Sequence, residues 1–240
     1  MTRLRRAPWA PERLDLTGHP PPALAESLRD VTHANDWFGG TRSLRRGLAP
    51  FLEAGGSLSV LDAGTGSADV LLGLVRWARR RGVSMRPVGL DAHAEVLDIA
   101  RRRAPGMALV RGDLRALPFR SRSVDIVVAT LVLHHLPDDA QVAALKELAR
   151  VARRGVIVAE LERHRIHWLG AKLLAMTVWR RSPITSHDAP VSVRRGYTRE
   201  ELAALARDAG LDGRVRRFLF YRLLLTAAVG QAREDASRTV

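Results

Sequence analysis

The middle of the sequence alternates short apolar runs with longer amphipathic stretches. The apolar runs have the length of buried strands, and the stretches between them carry apolar residues at helical spacing. This alternation is typical of a parallel sheet that is covered by helices. The predicted strands are 59–61, 86–90, 108–110, 124–129 and 155–159, and the predicted helices between them are 70–80, 94–103 and 140–151.

The segments on either side of this core differ from it. Upstream, residues 23–56 show helical spacing and are predicted to form a helical preamble. Downstream, an apolar segment at 168–179 leads into a polar, proline-containing loop at 183–190, which we interpret as an insertion between sheet elements. A capping-box pair, Thr198 and Glu201, then opens another helix. The last predicted strands are 215–220 and 222–229.

Cysteine is absent from the 240 residues, which excludes disulfides, thiolate metal sites and cysteine nucleophiles. We therefore expect no metal centre, and the composition fits a reducing, cytoplasmic compartment. The basic, proline-broken start at 1–16 lacks the apolar core of a secretory signal. The apolar stretches 166–179 and 218–229 are too short to cross a bilayer, so we expect no membrane span.

The net charge of +14 raises the question of an anionic partner such as RNA or a membrane surface. Nearly all of this charge is arginine, and three arginine clusters fall at the C-terminal ends of predicted helices, where they complement the helix dipole. Because helices run opposite to strands in this architecture, we expect the clusters to lie far from a ligand at the carboxyl edge of the sheet. Nucleic acid is therefore not the expected partner. The clusters are Arg79–Arg81, Arg101–Arg103 and Arg150 with Arg153–Arg154.

The first predicted strand runs into a glycine-bearing turn and then into a helix. Gly64 and Gly66 allow a tight turn and let a ligand lie directly against the backbone. A dinucleotide-binding loop is the competing interpretation, but it would carry a glycine where Asp69 stands. Asp62 and Asp69 would repel a pyrophosphate, whereas they suit a cationic ligand. A sulfonium amino acid with a free ammonium group is such a ligand.

Two more acidic residues follow the next predicted strands. Asp91 ends the second strand, where a carboxylate can accept hydrogen bonds from both hydroxyls of a ribose; the alternative is a helix N-cap. Asp113 and Leu114 follow the third strand. Asp113 is placed there to hydrogen-bond an adenine amino group, and Leu114 to cover a face of the ring.

Five motifs thus follow one another: Leu61-Asp62-Ala63-Gly64-Thr65-Gly66, Asp91, Gly112-Asp113-Leu114, Val124-Asp125-Ile126-Val127-Val128 and Leu133-His134-His135-Leu136-Pro137. This series resembles the ordered motifs of the class I S-adenosylmethionine-dependent methyltransferases, in particular the small-molecule type of ubiquinone and menaquinone biosynthesis. The resemblance covers about residues 58–160. It departs at Ala68, where many members carry a third glycine, and we expect little cost because alanine at a helix start is sterically mild.

The resemblance implies that S-adenosyl-L-methionine is the cofactor. Asp62, Gly64 and Gly66 would contact its methionine moiety, Asp91 its ribose, and Asp113 with Leu114 its adenine. To the same cofactor site we assign three neighbouring residues, Thr65, Ala92 and Thr130.

The resemblance also implies a Rossmann-like, doubly wound α/β fold. Its mostly parallel seven-stranded sheet would carry helices on both faces and a small lid insertion. On this basis 1–22 would be a flexible N-terminal arm and 23–56 a helical preamble covering the active site. The methyltransferase domain would span 57–230 with a lid insertion at about 163–197, and 231–240 would be a disordered tail.

Methyl transfer from a sulfonium is an in-line displacement, so the protein contributes alignment, a dry site and, where needed, a base. His134 and His135 follow the fourth strand at the ligand-binding edge, and histidine is the natural base for a hydroxyl acceptor. We favour His134 as the base, with a structural role as the alternative. His135 is expected to pack or hydrogen-bond within the loop. Glu160 ends the fifth strand and would orient His134 or share its proton; a solvated carboxylate is the alternative.

The insertion is expected to shape the acceptor pocket. Trp168, Met176 and Trp179 suggest an apolar or aromatic acceptor, although an apolar helix can equally belong to the core. We assign Trp168 to the acceptor pocket. The candidate polar contacts to the acceptor are His187, Asp188, Ser192 and Arg194.

The sequence thus predicts an enzyme of secondary metabolism that methylates a small apolar or aromatic molecule at a hydroxyl oxygen, as a monomer or homodimer. Nitrogen and carbon remain open as acceptor atoms. An RNA or tRNA methyltransferase is an alternative supported by the charge, although the sequence has no appended RNA-binding module and no Asn-Pro-Pro motif after the fourth strand. A non-catalytic S-adenosylmethionine-binding protein is another, and the intact glycine turn argues against it. The aspartates beside the turn disfavour a nicotinamide oxidoreductase.

Overall fold

A seven-stranded mixed sheet forms the framework of residues 4–230, which the computed structural model describes. The strands are β1 (Ser57–Ala63), β2 (Ser84–Asp91), β3 (Ala108–Arg111), β4 (Val124–Thr130), β5 (Ala152–Leu161), β6 (Gly213–Phe218) and β7 (Arg222–Ala228). They lie in the order β3-β2-β1-β4-β5-β7-β6; β1 to β5 are parallel, and β7 is antiparallel to β5 and β6. The predicted mostly parallel, Rossmann-like sheet is confirmed. The predicted disordered tail, 231–240, lies outside the described residues.

Helices cover both faces of this sheet. The helices are α1 (Pro21–Trp37), α2 (Gly40–Leu48), α3 (Asp69–Arg79), α4 (Ala94–Arg103), α5 (Ala140–Val151), α6 (Arg165–Met176), α7 (Pro183–Arg195) and α8 (Arg199–Asp208). Since side chains alternate along a strand, Leu61 and Val127 enter one core with α5 and α8, whereas Val60 and Ile126 enter a second core with α2 and α3.

The insertion after β5 is a pair of packed helices, α6 and α7. The polar loop predicted at 183–190 is wrong, because these residues form most of α7. Pro183 occupies the first turn, where a missing N–H breaks no helical hydrogen bond, and Pro190 lies inside the helix. Buried side chains such as Ile184 and Val193 stabilise α7 against its surroundings, so tertiary packing outweighs the loop signal of the prolines.

The capping box predicted at the start of α8 is present. Oγ1 of Thr198 accepts from the backbone N–H of Glu201 at 3.2 Å, and the Glu201 carboxylate accepts from the backbone N–H of Thr198 at 2.8 Å. Gly210, at φ +74°, follows the end of this helix. None of the helices within residues 4–230 combines the length and the apolar character needed to cross a membrane.

The N-terminal segment, predicted to be a loose arm, packs across the carboxyl edge of the sheet. The carboxylate of Asp188 in α7 accepts hydrogen bonds from the backbone N–H groups of Arg13 and Leu14 at 2.9 and 2.8 Å. Nε1 of Trp9 donates to the carbonyl oxygen of His135 at 2.8 Å. These partners lie 126 to 175 positions apart, so no local pattern in the segment predicts the contacts.

The three arginine clusters lie at or just after helix C-termini, as predicted. At the amino edge of the sheet, Arg153 and Arg154 pair with Asp125 and Glu53. The cluster at Arg101–Arg103 was expected to lie far from the carboxyl edge of the sheet, but one of its arginines reaches that edge. Nε of Arg103 lies 3.9 Å from Oδ2 of Asp69 at the start of α3. The expectation is wrong for this cluster, because α4 has only ten residues and helical side chains lean back toward the N-terminus.

Candidate active site

A cavity of about 730 Å³ opens at the carboxyl edge of the sheet. Loops that follow β1, β2, β3 and β4 form its floor, while α1, α6, α7 and the N-terminal segment form its walls. Its volume lies within the range of roughly 300–1,000 Å³ that is usual for ligand pockets. Its location is the ligand edge expected for an open α/β sheet.

The turn between β1 and α3 exposes glycine backbone atoms to this cavity. Gly64 and Gly66 have φ of +83° and +55°. A Cβ atom on Gly64 would lie 2.6 Å from Cγ2 of Val132, so only glycine fits there. The N–H groups of Gly64 and Thr65 both donate to the carbonyl oxygen of Leu90 at 2.8 Å, which fixes the turn against β2.

Ala68 closes the turn in a left-handed conformation, with φ of +63°. The expectation that alanine is mild at this position is wrong, because this conformation costs a non-glycine residue about 1–2 kcal/mol. The Ala68 methyl group is fully buried against Ala100 of α4 and Ala104, which follows this helix. This packing offsets part of the conformational cost.

Asp62 lies at the end of β1 beneath the turn and is 1% exposed. Oγ1 of Thr65 donates to its Oδ2 at 3.0 Å, whereas its Oδ1 is buried without a hydrogen-bond partner. Burial raises the pKa of Asp62 to about 7. A buried carboxylate oxygen that lacks a partner on the wall of a cavity fits a cationic ligand group.

Asp91 ends β2 and also lines the cavity. Its carboxylate accepts from the backbone N–H of Gly66 at 3.0 Å and of His93 at 3.1 Å. The N-cap of α4 is His93, so the alternative interpretation of Asp91 as the cap residue itself is wrong. An ionised carboxylate has about four acceptor sites, and those that remain are available to a ligand. Ala92 lines the cavity beside it.

Asp113 and Leu114 lie on the cavity wall after β3, together with Arg115. Nε of Arg115 lies 3.0 Å from each oxygen of Asp113, and this side chain lowers the pKa of Asp113. A ligand amino group would therefore share Asp113 with Arg115, which the sequence interpretation missed. Leu114 is 5% exposed and supplies an apolar surface, and Thr130 at the end of β4 presents an Oγ1 atom without a partner.

His134 and Glu160 form a buried pair, 2% and 0% exposed. Nδ1 of His134 lies 2.7 Å from Oε2 of Glu160, and Oε1 of Glu160 accepts from the N–H groups of Val132 and Leu133 at 3.1 and 2.8 Å. Burial alone would raise the pKa of Glu160, but His134 and the N–H of Leu133 hold it below its ordinary value. Because an ionised carboxylate only accepts, Nδ1 of His134 is the donor, and Nε2 is left as the acceptor of a ring that lines the cavity. The alternative of a solvated Glu160 is wrong.

His135 also lines the cavity. Its ring packs on that of His134 in the same loop, as expected, with ring centroids 4.4 Å apart, and it has further partners in the N-terminal segment. Its Nδ1 lies 2.8 Å from Oδ1 of Asp15 and 4.0 Å from Oε2 of Glu12. Burial opposes the charged ring, yet the carboxylates of Glu12 and Asp15 raise the pKa of His135 to about 10. The ring is therefore an imidazolium that pairs with this segment.

Glu12, His134 and His135 bring a carboxylate oxygen and two ring nitrogens within 4.8 Å of one another, close enough for three ligands of a metal ion. Metal binding requires neutral imidazole rings. In this structure His135 pairs with Glu12 and Asp15, so a metal ion at these three residues would have to displace the His135 proton.

The residues assigned to the acceptor pocket divide into two groups. Asp188 and Ser192, one helical turn apart on α7, both line the cavity. The carboxylate of Asp188 already accepts hydrogen bonds from the N-terminal segment. His187, Arg194 and Trp168 do not lie among the lining residues. The helical repeat explains the difference, because only positions three or four residues apart share a face. The positions that line the cavity are Thr185, Asp188, Ala189, Ser192 and Val193 on α7, and Ile166, His167, Gly170, Ala171 and Leu174 on α6.

Two buried arginines near the cavity were missed. Arg195, 1% exposed, donates to the carbonyl oxygens of His134 and Leu136 and to Asp138, so it fixes the loop that carries the histidines. Arg222 at the start of β7 is 3% exposed and lines the cavity with an Nη1 atom that has no partner. Burial lowers the pKa of Arg222 to about 10. Arginine beside an apolar run was the available signal for Arg222, whereas nothing local distinguishes Arg195 from Arg194.

Polar atoms without hydrogen-bond partners concentrate on the cavity wall. Such atoms cost free energy when they are buried unless water or a ligand satisfies them. Their concentration here indicates a polar ligand in this cavity. The lining residues that carry them include Glu12, Asp30, Asn35, Asp62, Thr130 and Arg222.

A sequence profile described as a methyltransferase domain matches residues 60–155, the segment from β1 to the start of β5. An uncharacterized 37.1 kDa protein of transposon TN4556 from Streptomyces fradiae is 31% identical over 174 residues, which cover 70% of this chain and 48% of that protein. The chain thus spans about half the length of this relative. A demethylmenaquinone methyltransferase of Roseiflexus castenholzii is 32% identical over 167 residues, 62% of this chain and 66% of that enzyme.

Among solved structures, a SAM-dependent methyltransferase from Aquifex aeolicus superposes with a TM-score of 0.63 at 16% sequence identity. The superposition covers 89% of this chain and 100% of that chain. At this identity the likeness establishes the fold alone.

Proposed function

The chain belongs to the class I S-adenosylmethionine-dependent methyltransferases, and from that premise we propose that it methylates a hydroxyl oxygen of a small apolar or aromatic metabolite. His134, which lines the cavity, and its buried partner Glu160 carry the proposal. This pair lies at the same edge of the sheet as the glycine turn. The two sets of residues therefore border one cavity, as a transfer reaction requires.

The floor of the cavity fits S-adenosyl-L-methionine. The unpartnered Oδ1 of Asp62 suits the ammonium group of its amino acid, and the remaining acceptor sites of Asp91 suit its ribose. Leu114 offers an apolar surface to the adenine ring. When bound, the cofactor supplies an electrophilic methyl group on a sulfonium. A dinucleotide fits less well, because a pyrophosphate would meet carboxylates at 62 and 69.

His134 is the proposed base for the acceptor hydroxyl. Glu160 fixes the tautomer by accepting the Nδ1 proton, so Nε2 is free to take a proton from an acceptor in the cavity. The proton leaves the hydroxyl oxygen, the oxygen gains nucleophilic character, and the imidazolium that forms is stabilised by Glu160. Arg195 positions the ring by holding the carbonyl oxygens of His134 and Leu136.

The acceptor side of the cavity supports an apolar, ring-containing substrate. Its wall carries aliphatic and aromatic side chains from α6, α7 and the β6–β7 turn. The unpartnered Nη1 of Arg222 is available to an acceptor oxygen on the same side. The demethylmenaquinone methyltransferase relative further supports an acceptor of the quinone class. The apolar wall residues are Ile166, Leu174, Val193 and Phe220.

The same relative favours one second candidate, a carbon atom of a hydroxylated ring as the acceptor. The chemistry of His134 is shared by both candidates, because deprotonation of a phenol makes its oxygen and the neighbouring ring carbons nucleophilic. Product analysis distinguishes them. Oxygen methylation yields a methyl ether, whereas carbon methylation keeps the hydroxyl free.

The test begins with calorimetric titration of the purified protein with S-adenosylhomocysteine, with a nicotinamide dinucleotide as the control. An acceptor screen with isotope-labelled cofactor and hydroxylated aromatic compounds follows. We expect His134→Gln to lower turnover by roughly 10²–10⁴-fold, with S-adenosylhomocysteine affinity unchanged within about twofold. Equal turnover of this variant would remove His134 from the mechanism.

Two other outcomes would replace the proposal. Label transferred to RNA but to no small molecule would identify a nucleic-acid methyltransferase. Cofactor binding without transfer to either class of acceptor would identify a non-catalytic binding protein.

A further inference from the structure

The exposed large apolar side chains are concentrated on a few elements that border the cavity. Ten are found within residues 4–230; Trp9 and Leu16 belong to the N-terminal segment, and the other eight lie at the end of α1, on α6 and just after it, and on the β6–β7 turn. We call these eight residues the apolar collar, and each is between 55% and 72% exposed. The apolar collar consists of Trp37, Ile166, Leu169, Leu173, Met176, Val178, Leu219 and Phe220.

Half of the apolar collar lies on one face of α6. Ile166, Leu169, Leu173 and Met176 are spaced by three, four and three positions, so they form an outward stripe along the helix. The opposite face of α6 packs Ala171 and neighbouring residues toward the cavity. A helix that is apolar on both faces normally lies inside a protein, and monomeric proteins rarely expose a continuous apolar patch without a use for it.

Ring contacts connect the β6–β7 turn to the start of α6 and to the end of α1. Tyr221 stacks on His164 and His167 at the start of α6, with ring centroids 4.6 and 5.5 Å apart. Phe220 meets Phe38 at the end of α1 edge to face, at 5.8 Å. Ile166 and Phe220 also line the cavity, so the apolar surface continues from the outside into the site.

The turn between β6 and β7 is strained in a way that exposes apolar groups. Phe220 and Tyr221 both have φ of +57°, where hairpin turns usually place asparagine or glycine. Bulky residues in this conformation cost free energy, and such strain is concentrated at functional sites. Here it directs Leu219 and Phe220 into solvent, where they are 70% and 55% exposed.

The two segments that carry seven of the eight collar residues contain only positive charges, whereas Trp37 follows the exposed Asp36. Residues 163–187 contain five arginines and lysines and not one aspartate or glutamate, and residues 213–230 contain four arginines and no carboxylate either. Arg165, Lys172, Arg180 and Arg181 are exposed beside the stripe on α6. An apolar face with tryptophan, phenylalanine and leucine that is flanked by cations is typical of a helix at a lipid interface.

We propose that the apolar collar docks this protein on the surface of an anionic lipid bilayer. The apolar side chains enter the headgroup region, and the flanking cations pair with lipid phosphates. A second copy of the chain fits less well, because the cationic rims of two identical surfaces would repel each other. The mouth of the cavity then faces the lipid. Delivery of a lipophilic acceptor from the bilayer through this mouth rests on the proposed function, whereas the docking itself does not.

Vesicle co-sedimentation tests the docking without any enzyme assay. We expect the protein to bind vesicles of phosphatidylglycerol with phosphatidylcholine and to bind vesicles of phosphatidylcholine alone at least about tenfold more weakly. A variant with Leu169→Gln, Leu173→Gln and Met176→Gln should lose at least about tenfold in binding. These side chains are exposed, so circular dichroism and S-adenosylhomocysteine binding should be unchanged.

Two triple variants of equal net charge distinguish docking through the apolar collar from non-specific electrostatic attraction to the vesicles. Arg165→Gln, Lys172→Gln and Arg180→Gln remove three charges beside the apolar collar, whereas Arg79→Gln, Arg80→Gln and Arg81→Gln remove three at the opposite edge. The first set should weaken binding to the anionic vesicles, and the second should leave it within about twofold. Equal losses, or no vesicle binding by the unmodified protein, would overturn the proposal. Concentration-dependent dimers that the Leu169, Leu173 and Met176 variant abolishes, without vesicle binding, would identify a second copy as the occupant.

Discussion

The two halves of the cavity are built by different kinds of contact. The cofactor half consists of loops that follow adjacent strands, and backbone hydrogen bonds hold it, such as those from Gly64 and Thr65 to Leu90. The acceptor half joins α6, α7, the β6–β7 turn and the N-terminal segment. Side chains hold that half together, above all Asp188 and Arg195.

Because of this difference, the two halves of the cavity should tolerate substitutions to different degrees. A backbone-built site is tied to the sheet and tolerates almost no alteration of its turn. A wall assembled from side chains of distant segments can be loosened by one substitution while the sheet stays intact. Under the proposed function, the cofactor half would serve any methyl transfer, and acceptor specificity would be located in the other half.

The largest effect is expected from Gly64→Ala. The added Cβ would lie 2.6 Å from Cγ2 of Val132, and the residue would keep a left-handed φ. We expect S-adenosylhomocysteine affinity to fall at least about 100-fold in calorimetric titration. Gly106→Ala is the matched control, because Gly106 has φ of +82° but no atom within 4 Å of its Cβ position. If both variants bound equally well, the backbone turn would not be what holds the cofactor.

The next effect is a pH dependence that comes from Asp62. Its pKa is raised to about 7 by burial, and pairing with the cofactor's ammonium group requires its charged form. Affinity for S-adenosylhomocysteine should therefore decrease by up to about tenfold per pH unit below 7 and level off above it. Calorimetry in buffers of different ionisation enthalpy should detect release of up to about one proton at pH 6 and almost none at pH 8.

The raised pKa of Asp62 also makes the stability of the ligand-free protein depend on pH. The folded pKa of Asp62 lies above its unfolded value, so the ligand-free protein loses stability through this group as the pH rises from about 4 to about 7. Asp62→Asn should flatten both the binding profile and this part of the stability profile. A pH dependence that persists in Asp62→Asn would have to come from another group.

The acceptor half shows where sequence-based inference stops. The positions of the glycine turn, Asp62 and Asp91 on the cavity could be predicted because they follow from strand ends and local spacing. Arg195 could not be chosen over Arg194, because that choice depends on which face of α7 turns inward. Nor could the pairing of His135 with Asp15, since 120 positions of chain separate partners that only the folded sheet brings together. Helix α7 itself was obscured by prolines that tertiary packing tolerates.

A smaller effect is expected from Asp188→Asn, which loosens the N-terminal segment. Asparagine has one acceptor oxygen for the two N–H groups of Arg13 and Leu14, and its amide would face one of them. Loss of a buried acceptor costs about 1–3 kcal/mol, so trypsin should cleave more rapidly at Arg13 and the acceptor KM should rise several-fold. Cofactor affinity should stay within about twofold. Asp208→Asn, at an exposed acid on α8, is the control, and equal cleavage of both variants would show that Asp188 does not hold the segment.

The smallest effects are expected where the sequence assigned an acceptor contact and the structure turns the side chain away. Arg194→Ala should leave the acceptor KM and kcat unchanged, because its side chain is not among those that line the cavity and its carbonyl contact to Ala7 survives truncation. His187→Ala should change KM by no more than about twofold, since its half-exposed ring only supports Asp188. Arg195→Gln is the positive control, because loss of its bonds to the histidine loop should lower kcat. A tenfold rise in KM for Arg194→Ala would show that this side chain contacts the acceptor and that the acceptor half extends beyond the residues that line the cavity.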